Sequence, residues 1–145
     1  MKDYLLKLVM GGCVLGVFML ATECRKDHSL SKDDAKLHQI EQLAQSIPPH
    51  PSFREVATYR TDKSQLASVS KHYASSTTYD EVKQFYSQQL KTLGWEVKEE
   101  RFLPKHLFMD AVKIIVFKKQ ETEIALQHTE GGQSADFAVD FTWRQ

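Results

Sequence analysis

Thr78-Tyr79-Asp80-Glu81-Val82-Lys83-Gln84-Phe85-Tyr86-Ser87-Gln88-Gln89-Leu90-Lys91-Thr92-Leu93-Gly94-Trp95 reads as a complete helix with both ends written into its residues. Thr78 and Glu81 are spaced as a capping box, in which the hydroxyl accepts from the amide three residues on and the carboxylate reaches back to the cap. Val82, Phe85, Tyr86, Gln89, Leu90 and Leu93 recur at helical spacing and form one mostly apolar stripe. Gly94 stands where a left-handed residue ends a helix. Trp95 then opens a strand, so helix and sheet belong to one α+β domain.

On both sides of this helix the chain reads as strands. Residues 53–60 and 66–73 are separated by Thr61-Asp62-Lys63-Ser64-Gln65, which suits a hairpin. After the helix, residues 95–102 alternate. Residues 111–118 are nearly continuously apolar, as expected of a central strand. Residues 121–129 put Ile124 and Leu126 on one face. Gly131-Gly132 marks a turn, and residues 135–144 set Phe137, Val139, Phe141 and Trp143 inward against Asp136, Ala138, Asp140 and Thr142 outward. The order is β-β-α-β-β-β-β. Short later links imply antiparallel pairing in a sheet of about five or six strands, with one helix packed on one face.

The N-terminus differs in kind. Residues 8–22 carry no charge, follow Lys2 and Lys7, and give way at once to Glu23-Cys24-Arg25-Lys26-Asp27. The run is short for a bilayer span of about 20 residues and fits a signal-peptide core; counted from Tyr4 it is long enough to cross. Residues 1–24 are therefore expected to be a signal peptide or a membrane anchor, an apolar helix contacting the membrane through residues 4–22. An uncleaved anchor is preferred, because Ala21 and Cys24 have poor small-residue neighbours for processing. Residues 25–47 form a linker and a short amphipathic helix with Leu37, Ile40, Leu43, Ala44 and Ile47 on its apolar side, closed by Pro48-Pro49-His50-Pro51. That helix either packs on the domain or serves as a stalk. Residues 48–145 form the α+β domain.

Composition narrows the function classes. Nineteen basic residues balance nineteen acidic ones, which argues against nucleic acid as a partner. Cys13 and Cys24 are the only cysteines and lie in or beside the apolar segment, so the domain has no disulfide framework or thiolate metal site. His28, His38, His50, His72, His106 and His128 show no metal-binding spacing. His72 and His128, in strands, are expected at an edge or on the surface. Asp136 and Asp140 share a strand face about 13 Å apart, wider than a glycosidase pair. There is no GxSxG, phosphate-binding loop or GxGxxG. No catalytic residue, metal ligand or cofactor is assigned.

Pro49-His50-Pro51 leading into a strand, a second strand, then Thr78-x-x-Glu81-Val82-x-x-Phe85-Tyr86-x-x-x-Leu90-x-x-x-Gly94-Trp95-x-Val97 resembles a recurrent pattern in small exported or membrane-anchored bacterial proteins of unknown function. The resemblance spans residues 47–143. The chain departs from it in placing His50 where an aromatic is usual and in lacking a glycine after Pro51. It implies the fold and a cell-envelope location and carries no activity; the expectation that residues 25–145 lie outside the cytoplasm rests on the general form of the N-terminus.

One segment is apolar without an evident structural task. Phe102, Leu103, Leu107, Phe108 and Met109 surround Pro104, Lys105 and His106 between two strands. Either Leu107, Phe108 and Met109 cap the open end of the sheet core, or the segment forms a contact site for an envelope protein partner. The expected function is accordingly a membrane-anchored binding or assembly module without catalysis. The alternative is a small envelope hydrolase or ligand-binding domain with a site assembled from scattered His and Asp residues.

Overall fold

The computed structural model describes residues 32–107, 110–131 and 135–144. The apolar segment 4–22, with the expected N-terminal helix, both cysteines, and Phe108 and Met109 lie outside them. Among the described residues no helix is long and apolar enough to cross a membrane.

Among the described residues eight elements follow one another: α1 (Lys32–Ser46), β1 (Arg54–Lys63), β2 (Leu66–Ala74), α2 (Tyr79–Thr92), β3 (Glu96–Leu103), β4 (Val112–Lys119), β5 (Thr122–Thr129) and β6 (Phe137–Arg144). The strands form one antiparallel six-stranded sheet in the order β1-β2-β6-β5-β4-β3. The β-β-α-β-β-β-β order is the expected one. The expectation of a single covering helix needs correction, because two helices lie on the same face. α1 covers β1, β2 and β6, and α2 covers β3 and β4. The apolar stripe of α1 explains the second: Ile40, Ala44 and Ile47 are buried in the same cluster as Val69, Val139 and Phe141. This amphipathic helix packs on the sheet rather than standing away as a stalk.

Helix α2 ends as its residues dictate. The Thr78 hydroxyl accepts from the Glu81 amide at 3.3 Å, and the Glu81 carboxylate accepts from the Thr78 amide at 3.3 Å. The Thr78 amide first, and the Thr78 hydroxyl second, donate to the Glu81 carboxylate and hold it below its usual range. At the other end Trp95 N–H donates to Leu90 O and Gly94 N–H to Lys91 O, both at 3.0 Å, the paired bonds of a Schellman motif. Gly94 has φ +78° there. Val82, Tyr86 and Leu90 are fully buried beneath the helix, whereas Leu93, at the end of the stripe, faces solvent.

The covered layer is aromatic and dense. Phe53 stacks on Tyr73 at 4.6 Å between ring centroids and packs on Phe137 at 5.1 Å. Two register shifts curl the sheet: Val56 is the extra residue between Glu55 and Ala57, and Lys98 the one between Val97 and Glu99. The second interrupts the alternation of β3 and leaves Val97 exposed.

Candidate functional site

Among the described residues nothing covers the side of the sheet away from both helices, and that side is hollowed. Its floor comes from the residues that alternate with the core. Across β2, β6, β5 and β4, Ser70 faces Asp140, Asp140 faces Ala125, and Ala125 faces Val116; a parallel row runs from His72 through Ala138 and Gln127 to Ile114 and Arg101. Small side chains at Ser68, Ser70, Ala125 and Ala138 keep the middle low, while Lys98, Glu99 and Arg101 rise from β3 on one flank and Leu66 and Arg144 from β2 and β6. The result is a trough of about 380 Å³. Ser68, Ile114, Ala125, Gln127, Asp140 and Thr142 in its floor are half-buried and Val116 is buried, although no described element lies over them. This also explains the continuous apolar run of β4. Ile115 and Phe117 face the helices, while Ile114 and Val116 supply the apolar patch of the trough.

Charge in the trough is balanced in place. Lys98 Nζ meets Glu123 Oε1 at 2.6 Å, and Arg101 Nη2 meets Glu99 Oε1 at 3.0 Å. Gln127 Nε2 donates to the Asp140 carboxylate. With Arg144 at the end of β6, three cations stand against three carboxylates. The surface offers hydrogen-bond donors and acceptors beside an apolar strip, with no net field favouring one sign of charge.

Two histidine–serine arrangements approach the geometry of nucleophilic chemistry, and neither completes it. Ser70 Oγ lies 3.0 Å from His72 Nε2 on the open face, beside the trough. The neighbouring Asp140 is engaged with Gln127, so no carboxylate orients the imidazole. β2 is paired on both sides, so its amides are committed to the ladder and supply no oxyanion donors. The second arrangement involves Ser52 Oγ, 2.8 Å from His50 Nδ1. The Ser52 amide also donates to that nitrogen, at 3.2 Å, which makes Nδ1 the acceptor and the serine hydroxyl its donor. Ser52 Oγ is 2.7 Å from Ser75 Oγ, which in turn accepts from the Thr77 amide. The chain of bonds ties the proline turn to the loop that feeds α2.

His128 is not at an edge, and it is half-buried rather than fully exposed. It lies on the covered face, with its ring 4.6 Å from Phe137 and 5.9 Å from Tyr79. Its Nδ1 and the Tyr79 hydroxyl are both buried without a hydrogen-bond partner. Burial first, and Lys113 second, lower the His128 pKa; burial, then Glu100 and Asp80, push Tyr79 up to about 12. Asp136, which the sequence places with Asp140 on the outer side, accepts from the Ser75 amide at 3.5 Å and lies in the field of His128.

The apolar segment that ends β3 and follows it is solvent-facing in its described part. Phe102, Leu103 and Leu107 are 58%, 40% and 86% exposed, while Phe108 and Met109 lie outside the described residues. Phe102 also borders a hollow of about 320 Å³ shared with Tyr79, Asp80, Glu100, Arg101 and Lys113. The trough itself was not found by sequence reasoning. Its only trace there is the small and polar residues at alternate positions of β2, β5 and β6, which read equally as an ordinary wet face.

Residues 55–135 match the START domain-like family, just over half of the chain, and the chain belongs to that family. The matched region runs from β1 through β5 and leaves α1 and β6 outside. No curated protein and no solved structure matches the chain. Membership suggests a ligand-binding domain.

Proposed function

We propose that the chain is a non-catalytic ligand-binding module that receives a small molecule in the trough, tethered to a membrane of the cell envelope through residues 4–22. The observation that carries this reading is the open concave face. A sheet whose centre is built from serine and alanine, flanked by paired charges and an apolar strip, is shaped to receive something rather than to pack. Its volume of about 380 Å³ falls within the range of small-molecule sites, about 300–1,000 Å³. The balanced charges favour a neutral or zwitterionic amphipathic molecule, able to exchange bonds with Arg101, Gln127 and Asp140 while resting on Ile114 and Val116. The incomplete histidine–serine pairs support binding without turnover.

Ser68 lies in the trough and is half-buried. In the Ser68→Trp variant the indole fills that space. Native mass spectrometry of the full chain, released from membranes of its host in detergent, is expected to show a bound small molecule on the wild type and none on the variant at unchanged melting temperature. Equal occupancy in both would contradict the trough as the site.

A second reading is favoured by the exposure of Phe102, Leu103 and Leu107: the end of β3 and the segment that follows it contact an envelope protein. The double variant Phe102→Ser, Leu107→Ser should keep its melting temperature and lose the partner in a crosslinking pull-down. A large loss of melting temperature would assign these side chains to the fold instead.

A further inference from the structure

The zero net charge of the chain hides a polarity along the strands. The start of α1, the β1–β2 and β4–β5 turns, the end of α2 and the last residue of β6 all lie at one end of the sheet. The register fixes this, since Lys63 pairs with Leu66, Leu66 with Arg144, and Lys119 with Thr122. Lys119 Nζ donates to Leu93 O at 2.7 Å, and Lys36 Nζ sits 4.4 Å from the Trp143 ring centroid, which bring in the two helices. With Lys98 cancelled by Glu123, this end carries Lys36, Lys63, Lys91, Lys118, Lys119 and Arg144 against Asp62, Glu96 and Glu121. Leu93 and Val97, both exposed, stand among these lysines. The opposite end reverses the sign. With Lys83 cancelled by Glu100, it carries Glu55, Asp80, Glu81, Asp110, Glu130 and Asp136 against Arg54, Lys105 and Lys113.

We infer that the basic end is a docking surface for anionic phospholipid headgroups, which holds the body upright on the bilayer with the segment after β3 turned away from it. The inference rests on the reading of residues 4–22 as an anchor, and two features support it. The chain enters the body at this end: the nine residues from 23 to 31 span at most about 30 Å when fully extended, which keeps the start of α1 close to the bilayer. The charge there is complementary to an anionic leaflet and is accompanied by exposed apolar side chains, the pairing that interfacial contact requires. The acidic end is repelled by the same surface.

Both tryptophans, Trp95 and Trp143, lie at the basic end and report on it without a label. The full chain is reconstituted in phosphatidylcholine vesicles with and without phosphatidylglycerol, and tryptophan quenching by a headgroup-attached spin label is measured. The expected result is stronger quenching with phosphatidylglycerol at low salt. That increment is lost at about 1 M salt, where the screening length falls to about 3 Å, and lost in the variant Lys63→Glu, Lys91→Glu, Lys118→Glu. These three exposed lysines form no described ion pair, so the variant should fold, with a modest fall in melting temperature because Lys91 stands in the last turn of α2 and Lys118 faces Glu96 and Glu123. Quenching that ignores lipid charge, or that survives the triple reversal, overturns the docking. Carbonate extraction separates the two ideas. A chain released from the vesicles overturns the anchor, and this inference with it; a retained chain with lipid-independent quenching overturns only the docking.

Discussion

The two faces of the sheet are made by the same strands, one residue apart, and they behave as different materials. On the covered face Val69, Phe137, Val139 and Phe141 lie in a closed aromatic and aliphatic layer beneath α1 and α2. On the open face their immediate neighbours Ser68, Ser70, Asp140 and Thr142 form a polar hollow. The difference teaches that stability and binding are separated by strand parity. The covered face holds the body together, which leaves the open face free to keep small side chains and unfilled space.

The largest effect expected from this separation is within one dipeptide. Phe141→Ala removes a fully buried ring and should cost about 3–5 kcal/mol of unfolding free energy. Thr142→Ala, the next residue but on the open face, should stay within about 0.5 kcal/mol. Urea titrations of the two variants measure this directly. Similar losses in both would break the separation. A smaller effect is expected where the covering helix turns into β3. A Cβ at Gly94 meets nothing closer than 3.8 Å, so Gly94→Ala costs only the strain of φ +78°, about 1–2 kcal/mol. Thr78→Ala at the other end should cost about 1 kcal/mol through the lost cap. A neutral result at either position would mean that α2 is held by its buried stripe alone.

The smallest effect is titrational. His128 on the covered face has a folded pKa below its unfolded value of about 6.5. The unfolded chain therefore binds the proton first as pH falls. The stability held by neutral His128 is full above about pH 6.5, drains as pH falls through the window below it, and is gone once the pH passes the depressed folded pKa. His128→Gln should remove that step from a plot of unfolding free energy against pH. His72→Gln, the same change on the open face, should leave it in place. Loss of the step in the His72 variant would place the sensitive group on the wrong face.

Much of this architecture was legible in the sequence because it is local. The capping box of Thr78 and Glu81, the left-handed Gly94 and the alternation of residues 137–144 each name their own structure within a few positions. α1 was legible as a helix but not as part of the core, since a narrow stripe of Ile40, Ala44 and Ile47 fits a stalk as well as a packed helix. His128 was misplaced because a histidine in a strand does not announce which neighbours bury it. The trough was illegible for a different reason. Its shape comes from two extra residues, Val56 and Lys98, that curl the sheet, and from contacts between strands far apart in sequence; Ser68, Ala125 and Thr142 look alike on a flat wet face and on a concave one.

The central claim is that binding belongs to the open face. Its most direct test is amide chemical-shift mapping of the full chain in detergent against a panel of small neutral and zwitterionic amphipathic molecules. The account predicts that binding molecules shift the amides of Ser68, Ala125, Gln127 and Thr142 together and leave those of α2 in place. Shifts confined to α2 or to residues 102–107, with the open face silent across the panel, would contradict it.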